Sequence, residues 1–115
     1  MAQLSLKERT SNNVTILDLS GKITIGEGAV QLREAIRRLM DEGKKQILLN
    51  LGGVSYIDSA GVGELISSQM TTTHHGGRLK LENLTGTLRD LMTIPRLLTV
   101  FETFEDEKNA VESFN

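Results

Sequence analysis

The hydrophobic period switches repeatedly along this chain, from two residues to between three and four and back again, and no other feature restricts the fold as much. Leu4-Ser5-Leu6 and Val14-Thr15-Ile16-Leu17-Asp18-Leu19 alternate and are rich in β-branched residues, with the turn-forming Ser11-Asn12-Asn13 between them. This predicts an N-terminal hairpin. Leu32, Ala35, Ile36, Leu39 and Met40 then fall at i, i+3, i+4, i+7 and i+8, with Gly43 as a stop. That spacing predicts an amphipathic helix over 28–42. Ile47 to Leu51 is apolar almost throughout and bounded by Gly52-Gly53, the pattern of a central strand covered on both faces.

The same rhythm runs to the C-terminus. A second helix is expected from Asp58-Ser59 to His74-His75, with Val62, Leu65, Ile66 and Met70 turned to the core and Gly76-Gly77 ending it. Leu79 to Glu82 alternates as a strand, and Thr85 to Met92 predicts a short helix closed before Pro95. Leu98 to Phe101 reads as a last strand, and Glu105 to Phe114 as a helix that buries Ala110, Val111 and Phe114. The order ββαβαβαβα implies an α/β domain over 1–115. Its right-handed crossovers make a mixed, mostly parallel sheet with the hairpin as an antiparallel edge.

Composition removes several classes of function. With 115 residues and 38% hydrophobic side chains, one core can form without staples. There is no cysteine, which excludes disulfides, thiolate metal sites and cysteine nucleophiles and fits a reducing cytoplasm. The N-terminus has neither the apolar stretch nor the cleavage site of a secretory signal, and no apolar run approaches the about 20 residues of a spanning helix, so membrane insertion is not expected. A net charge of -2 and only four aromatics, Tyr56, Phe101, Phe104 and Phe114, argue against nucleic-acid binding. His74 and His75 diverge by about 100° on a helix and have no third ligand in register, which argues against metal. Neither Gly26-Glu27-Gly28 nor Gly61-Val62-Gly63 completes a phosphate-loop fingerprint, and no cofactor is expected. Arg33, Arg37 and Arg38 read as a balanced solvent face through the pairs Glu34–Arg38, Arg37–Asp41 and Arg38–Glu42.

Sites in such sheets gather where strands end and helices begin, which directs attention to Asn50 through Gly63. Asp58 is an N-cap candidate, able to accept from the amide of Ala60 or Gly61. Ser59 is then the first helical residue, with its hydroxyl directed away from the core beside the positive end of the helix dipole. It can be a capping serine, a hydrolase nucleophile or a phosphoacceptor. The nucleophile fails on distance, because the only histidines, His74 and His75, lie about 22 Å down the same helix. Gly-x-Ser-x-Gly is also absent, since Ile57 stands two residues before Ser59. A phosphoacceptor needs an exposed hydroxyl and tolerance of added charge, and a helix N-terminus supplies that tolerance.

Leu49-Asn50-Leu51, Val54 and then Tyr56-Ile57-Asp58-Ser59-Ala60-Gly61-Val62-Gly63-Glu64-Leu65 resemble the signature of the STAS domain, specifically of the bacterial anti-sigma factor antagonists. Leu19-Ser20-Gly21, Gly77-Arg78-Leu79 and the acidic C-terminal helix extend the resemblance over nearly the whole chain. It implies a non-enzymatic switch that binds an anti-sigma factor serine kinase and is released when Ser59 is phosphorylated. The partner-binding residues it implies are Asp58, Ser59, Ala60, Gly61, Val62 and Gly63, with Ala60, Gly61 and Gly63 as bare backbone open to the partner, and Lys22 and Thr24 at the rim. Those last two depart from the family, which usually carries acidic residues there. The same resemblance allows an accessory subunit of a transport or signalling complex, or a nucleotide-binding module.

Overall fold

Asn12 and Asn13 both adopt positive φ, 49° and 67°, the conformation that a tight two-residue hairpin turn demands and that asparagine tolerates. They close β1 (Leu4–Ser11) onto β2 (Val14–Ile23) in antiparallel register, Ser11 opposite Val14 and Leu4 opposite Gly21. The computed structural model describes residues 3–92 and 100–115. Beyond the hairpin the chain alternates: α1 (Glu27–Asp41), β3 (Gln46–Ile57), α2 (Ser59–His74), β4 (Arg78–Glu82), α3 (Gly86–Met92), β5 (Thr103–Phe104) and α4 (Glu107–Glu112). The strands lie in sequence order, β1-β2-β3-β4-β5, and every pairing after the hairpin is parallel. This is the mixed α/β sheet that the period changes predict.

Each face of the sheet has its own apolar layer. Leu17, Leu19, Ile47, Leu49, Leu51 and Leu81 pack with Leu32, Ile36 and Leu39 of α1 and Leu65 of α2, each fully buried side chain contributing about 1.5–3 kcal/mol. On the opposite face Val14, Ile16 and Leu48 are covered by Ala110 and Val111 of α4 and by Phe114 just beyond it. Alternate residues of β2 and β3 thus serve different layers, so Ile47 to Leu51 is apolar on both sides, as the sequence predicts.

The structure departs from the sequence reading in four places. Strand β3 does not stop at Gly52-Gly53 but runs on to Ile57. Its pairing with β2 slips twice, between Asp18 and Ser20 and between Gly21 and Lys22, so β3 holds two extra residues and its buried positions become Leu51, Val54 and Ile57. Such bulges break the two-residue alternation by which a strand is recognised. The last strand is Thr103–Phe104, and of the predicted Leu98–Phe101, Leu98 and Thr99 lie outside the described residues, as does Pro95. Val100 is in a turn and Phe101 fills the core without joining the ladder: an apolar run reports burial, not pairing. Helix α4 begins at Glu107, capped by the Asp106 carboxylate, which accepts from Lys108 N at 3.0 Å. Finally, Met70, expected in the core, is 65% exposed.

Candidate functional site

Two loops meet at the start of α2, and one carboxylate joins them. Asp58 caps the helix, Oδ1 accepting from Gly61 N at 2.8 Å, while Oδ2 accepts from Ile25 N in the β2–α1 loop at 3.0 Å. The Ile25 amide first, then that of Gly61, holds the Asp58 carboxyl below the usual carboxylate range. It is therefore an anion at neutral pH with both oxygens engaged, which suits it to position backbone and not to take protons.

Ser59 follows as the first residue of α2 and is exposed. Its hydroxyl makes no hydrogen bond to any described residue, whereas the neighbouring Ser55 Oγ donates to Gly21 O at 3.1 Å. Capping is the work of Asp58, so the capping role weighed for Ser59 is already filled. What remains is a hydroxyl at the positive end of a 16-residue helix, with no general base beside it among the described residues.

The surrounding predicted residues separate into outward and inward groups. Gly63 is exposed and a Cβ there would meet nothing within 4 Å, and Ala60 is half-buried. Gly61 is different. It is buried, and a Cβ on it would lie 2.0 Å from Ile23 O and 2.6 Å from Ile57 Cγ1. Its missing side chain lets α2 sit against the end of β2, so it is not open backbone, and Val62 is half-buried against the core. Lys22 is exposed beside Tyr56, its partner across the β2–β3 ladder. Thr24 is half-buried, and its hydroxyl donates to Gln3 Oε1 at 2.7 Å, so it fastens the N-terminal segment to the loop.

Sequence reasoning missed the apolar part of this surface. Ile25 is 76% exposed and Tyr56 50%, and both flank Ser59 through the Asp58–Ile25 bond and the short Tyr56-to-Ser59 connection. Met70 lies on α2 about 16 Å further along the helix axis. Exposed large apolar side chains such as Ile25 and Tyr56 are a mark of interaction surfaces where they adjoin one another. Their only sequence signal is phase: Tyr56 and Met70 fall out of step with the buried positions once the β3 bulges and the true helix face are known.

A groove of about 400 Å³ between α1 and α2 opens beside Ala60 and Gly63. Arg33 spans it, its Nε and Nη2 at 3.0 and 2.9 Å from Oε1 of the buried Glu64. Arg38 pairs with Glu42 as expected and also with Glu8 of β1; among the described residues the Glu34–Arg38 and Arg37–Asp41 pairs do not form. These cross-links fix the two helices, and so Ser59, in relation to the sheet.

A family model for the STAS domain matches residues 5–110. This chain belongs to the STAS domain family. Among characterised proteins, this STAS domain is 28% identical over 109 residues to the anti-sigma-B factor antagonist of Bacillus subtilis, covering 95% of this chain and 98% of that one. Among solved structures it overlays the Bacillus cell fate determinant SpoIIAA in its phosphorylated form with a TM-score of 0.73, at 20% identity and over 96% of this chain and 100% of that one. It overlays an anti-sigma factor antagonist from Mycobacterium paratuberculosis with a TM-score of 0.83, at 16% identity, over 96% and 93% of the two chains. At these identities the overlays establish the shared STAS fold.

Proposed function

We propose that this STAS domain is an anti-sigma factor antagonist of the cytoplasm: unphosphorylated, it binds an anti-sigma factor that is also a serine kinase, and transfer of a phosphoryl group to Ser59 releases it. The observation that carries this reading is the exposed Ser59 hydroxyl, unbonded among the described residues, at the first position of a helix whose cap is supplied by a different residue. The relative from Bacillus subtilis, named as an antagonist and matched end to end, supplies the class of partner. ATP and its metal ion belong to the kinase, so the domain itself is a substrate and a ligand, not a catalyst.

The physics of release follows from where the charge lands. A phosphate adds about 1.5 to 2 negative charges at pH 7, and the α2 dipole favours an anion at its N-terminus by about 0.3–1 kcal/mol. The fold therefore tolerates the modification. A kinase site that holds nucleotide phosphates does not, because like charges near 4 Å repel by about 1–4 kcal/mol as the effective dielectric falls from that of water to that of an interface. That corresponds to roughly fivefold to a thousandfold in affinity.

Incubation of the protein with ATP and an anti-sigma factor kinase of its host, followed by intact mass and binding calorimetry, tests the reading. A single phosphoryl addition that maps to Ser59 and abolishes binding is expected. Phosphorylation elsewhere, or tight binding by the Ser59-phosphorylated form, would overturn it.

A further inference from the structure

The sheet face under α4 carries a line of polar side chains that the proposed switch does not use. Parallel pairing sets Asp18 beside Asn50 and Asn50 beside Glu82, one row beyond Ile16, Leu48 and Lys80. Most of this row is satisfied. Asn50 Nδ2 donates to Asp18 Oδ1 at 2.8 Å, and Asn83 Nδ2 donates to Asn50 Oδ1 at 3.1 Å and to Glu82 Oε1 at 3.2 Å. Arg9 of β1 reaches Asp18 Oδ2 at 2.7 Å and, on α4, Glu107 Oε2 at 2.8 Å. Glu82 is the exception: it is fully buried and its Oε2 has no donor among the described residues.

After burial, the Glu107 carboxyl is the group that most opposes ionisation of Glu82. A buried carboxylate oxygen without a donor is uncompensated, and two neighbouring anions oppose each other, so one of the pair keeps its proton. Arg9 decides which one. Its guanidinium holds Glu107 below the usual carboxylate range, which leaves Glu82 as the acid. We infer that Glu82 keeps its carboxyl proton in the folded domain beside Glu107, so that attachment of α4 to the sheet is governed by pH.

Among the described residues, charged groups of both signs face Glu82 from neighbouring elements. β1 contributes the Arg9 cation, β2 the Asp18 anion and α4 the Glu107 anion, while β3 and β5 present neutral Asn50 and Phe104. On its own strand, Lys80 is engaged by Ser113 Oγ at 2.9 Å and Glu102 Oε2 at 2.8 Å. Burial, then the contact with Glu107, pushes Glu82 up to about 7, against about 4.3 for an unfolded glutamate. Between those values the folded chain holds a proton that the unfolded chain has lost. This contribution to stability is therefore complete below about pH 4.3, declines as pH rises and is gone above about 7. The ionised pair repels across the contact that seats α4, so the seam under Ala110, Val111 and Phe114 loosens in the same window.

The experiment is a carbon-13 NMR titration of the glutamate carboxyls in the full chain, with melting temperature followed from pH 5 to 8 for wild type and Glu82→Gln. Glu82 is expected to titrate near 7 while the Val111 methyls shift with the same midpoint. The wild-type melting temperature should fall across the range, and that of Glu82→Gln, whose amide is neutral at any pH, should stay level. Titration of Glu82 in the ordinary carboxylate range, or an undiminished fall in the variant, overturns the proposal. The carboxyl titration on the native chain decides the matter even where the variant does not fold.

Discussion

Replacing Gly61 by alanine separates a structural role from a partner-facing one. The new Cβ would stand 2.0 Å from Ile23 O and 2.6 Å from Ile57 Cγ1, so the first turn of α2 must retreat from β2 by roughly 1 Å or more to restore van der Waals separation. Neither neighbour yields easily, since the first is backbone and Ile57 is itself buried. The same retreat lengthens the bond from Asp58 N to Ile23 O, already 3.4 Å. Overpacking of this kind costs about 1–3 kcal/mol, and the upper end applies because a backbone carbonyl is struck. Alanine returns about 1 kcal/mol through helix propensity, leaving a net loss of about 2 kcal/mol. For a chain of this size that is a fall in melting temperature of roughly 10 °C. Gly63→Ala is the matched control: on the same helix, with open space around its Cβ, it should gain about 0.5–1 kcal/mol. Urea denaturation of both variants measures the difference directly. Equal stability of Gly61→Ala and wild type would refute the argument and restore Gly61 to the partner-facing surface.

Other substitutions probe the remaining links. Ser59→Ala should bind the partner with wild-type affinity and persist in the complex when ATP is added; full phosphorylation of the variant by mass would move the acceptor, Ser55 being the nearest other serine in the sequence. Lys22→Glu, exposed at the rim, should change the association rate and its salt dependence more than the dissociation rate, and stopped-flow traces insensitive to ionic strength would remove Lys22 from the interface. Asp58→Ala removes a carboxylate whose folded pKa is depressed, so the stability it contributes is present above about pH 3.9 and is lost as pH falls through the folded value. The variant should therefore melt lower at pH 7 and lose less on acidification than wild type. Phe114→Ala, at a residue only 2% exposed, should cost about 3 kcal/mol and loosen α4 first, as read by hydrogen exchange at Ala110 and Val111.

The elements whose side chains keep one period were legible in the sequence: α1 and α2 match to within a residue or two, and the hairpin turn was marked by its asparagines. Legibility ended where a tertiary contact overrides a local pattern. The two extra residues in β3 disrupt alternation, so Gly52-Gly53 reads as a strand end although the ladder continues to Ile57. Gly61 reads as open backbone because a sequence does not show that Ile23 lies across from it. Met70 keeps near-helical spacing with Leu65 and Ile66, yet the core lies on the side of Leu65, Ser68 and Thr72. Order alone, strand then cap then helix, singled out Ser59 for attention but left its role open between cap, nucleophile and acceptor, and only the family resemblance implied an acceptor; the second bond of Asp58, to Ile25 across 33 residues, has no local signature.

The doubled bulge in β3 gives this stretch of chain a parity. Over the span in which β2 passes from Asp18 to Ile23, β3 passes from Asn50 to Ile57, two residues more. Removing one residue between them would turn Ile57 outward and start α2 one step out of phase, carrying the serine from the surface toward the sheet. Removing both would leave a plain ladder with Ile57 still facing inward. Changes of length here are thus admissible only in twos, and the outward aim of the serine depends on an even number of residues it never touches.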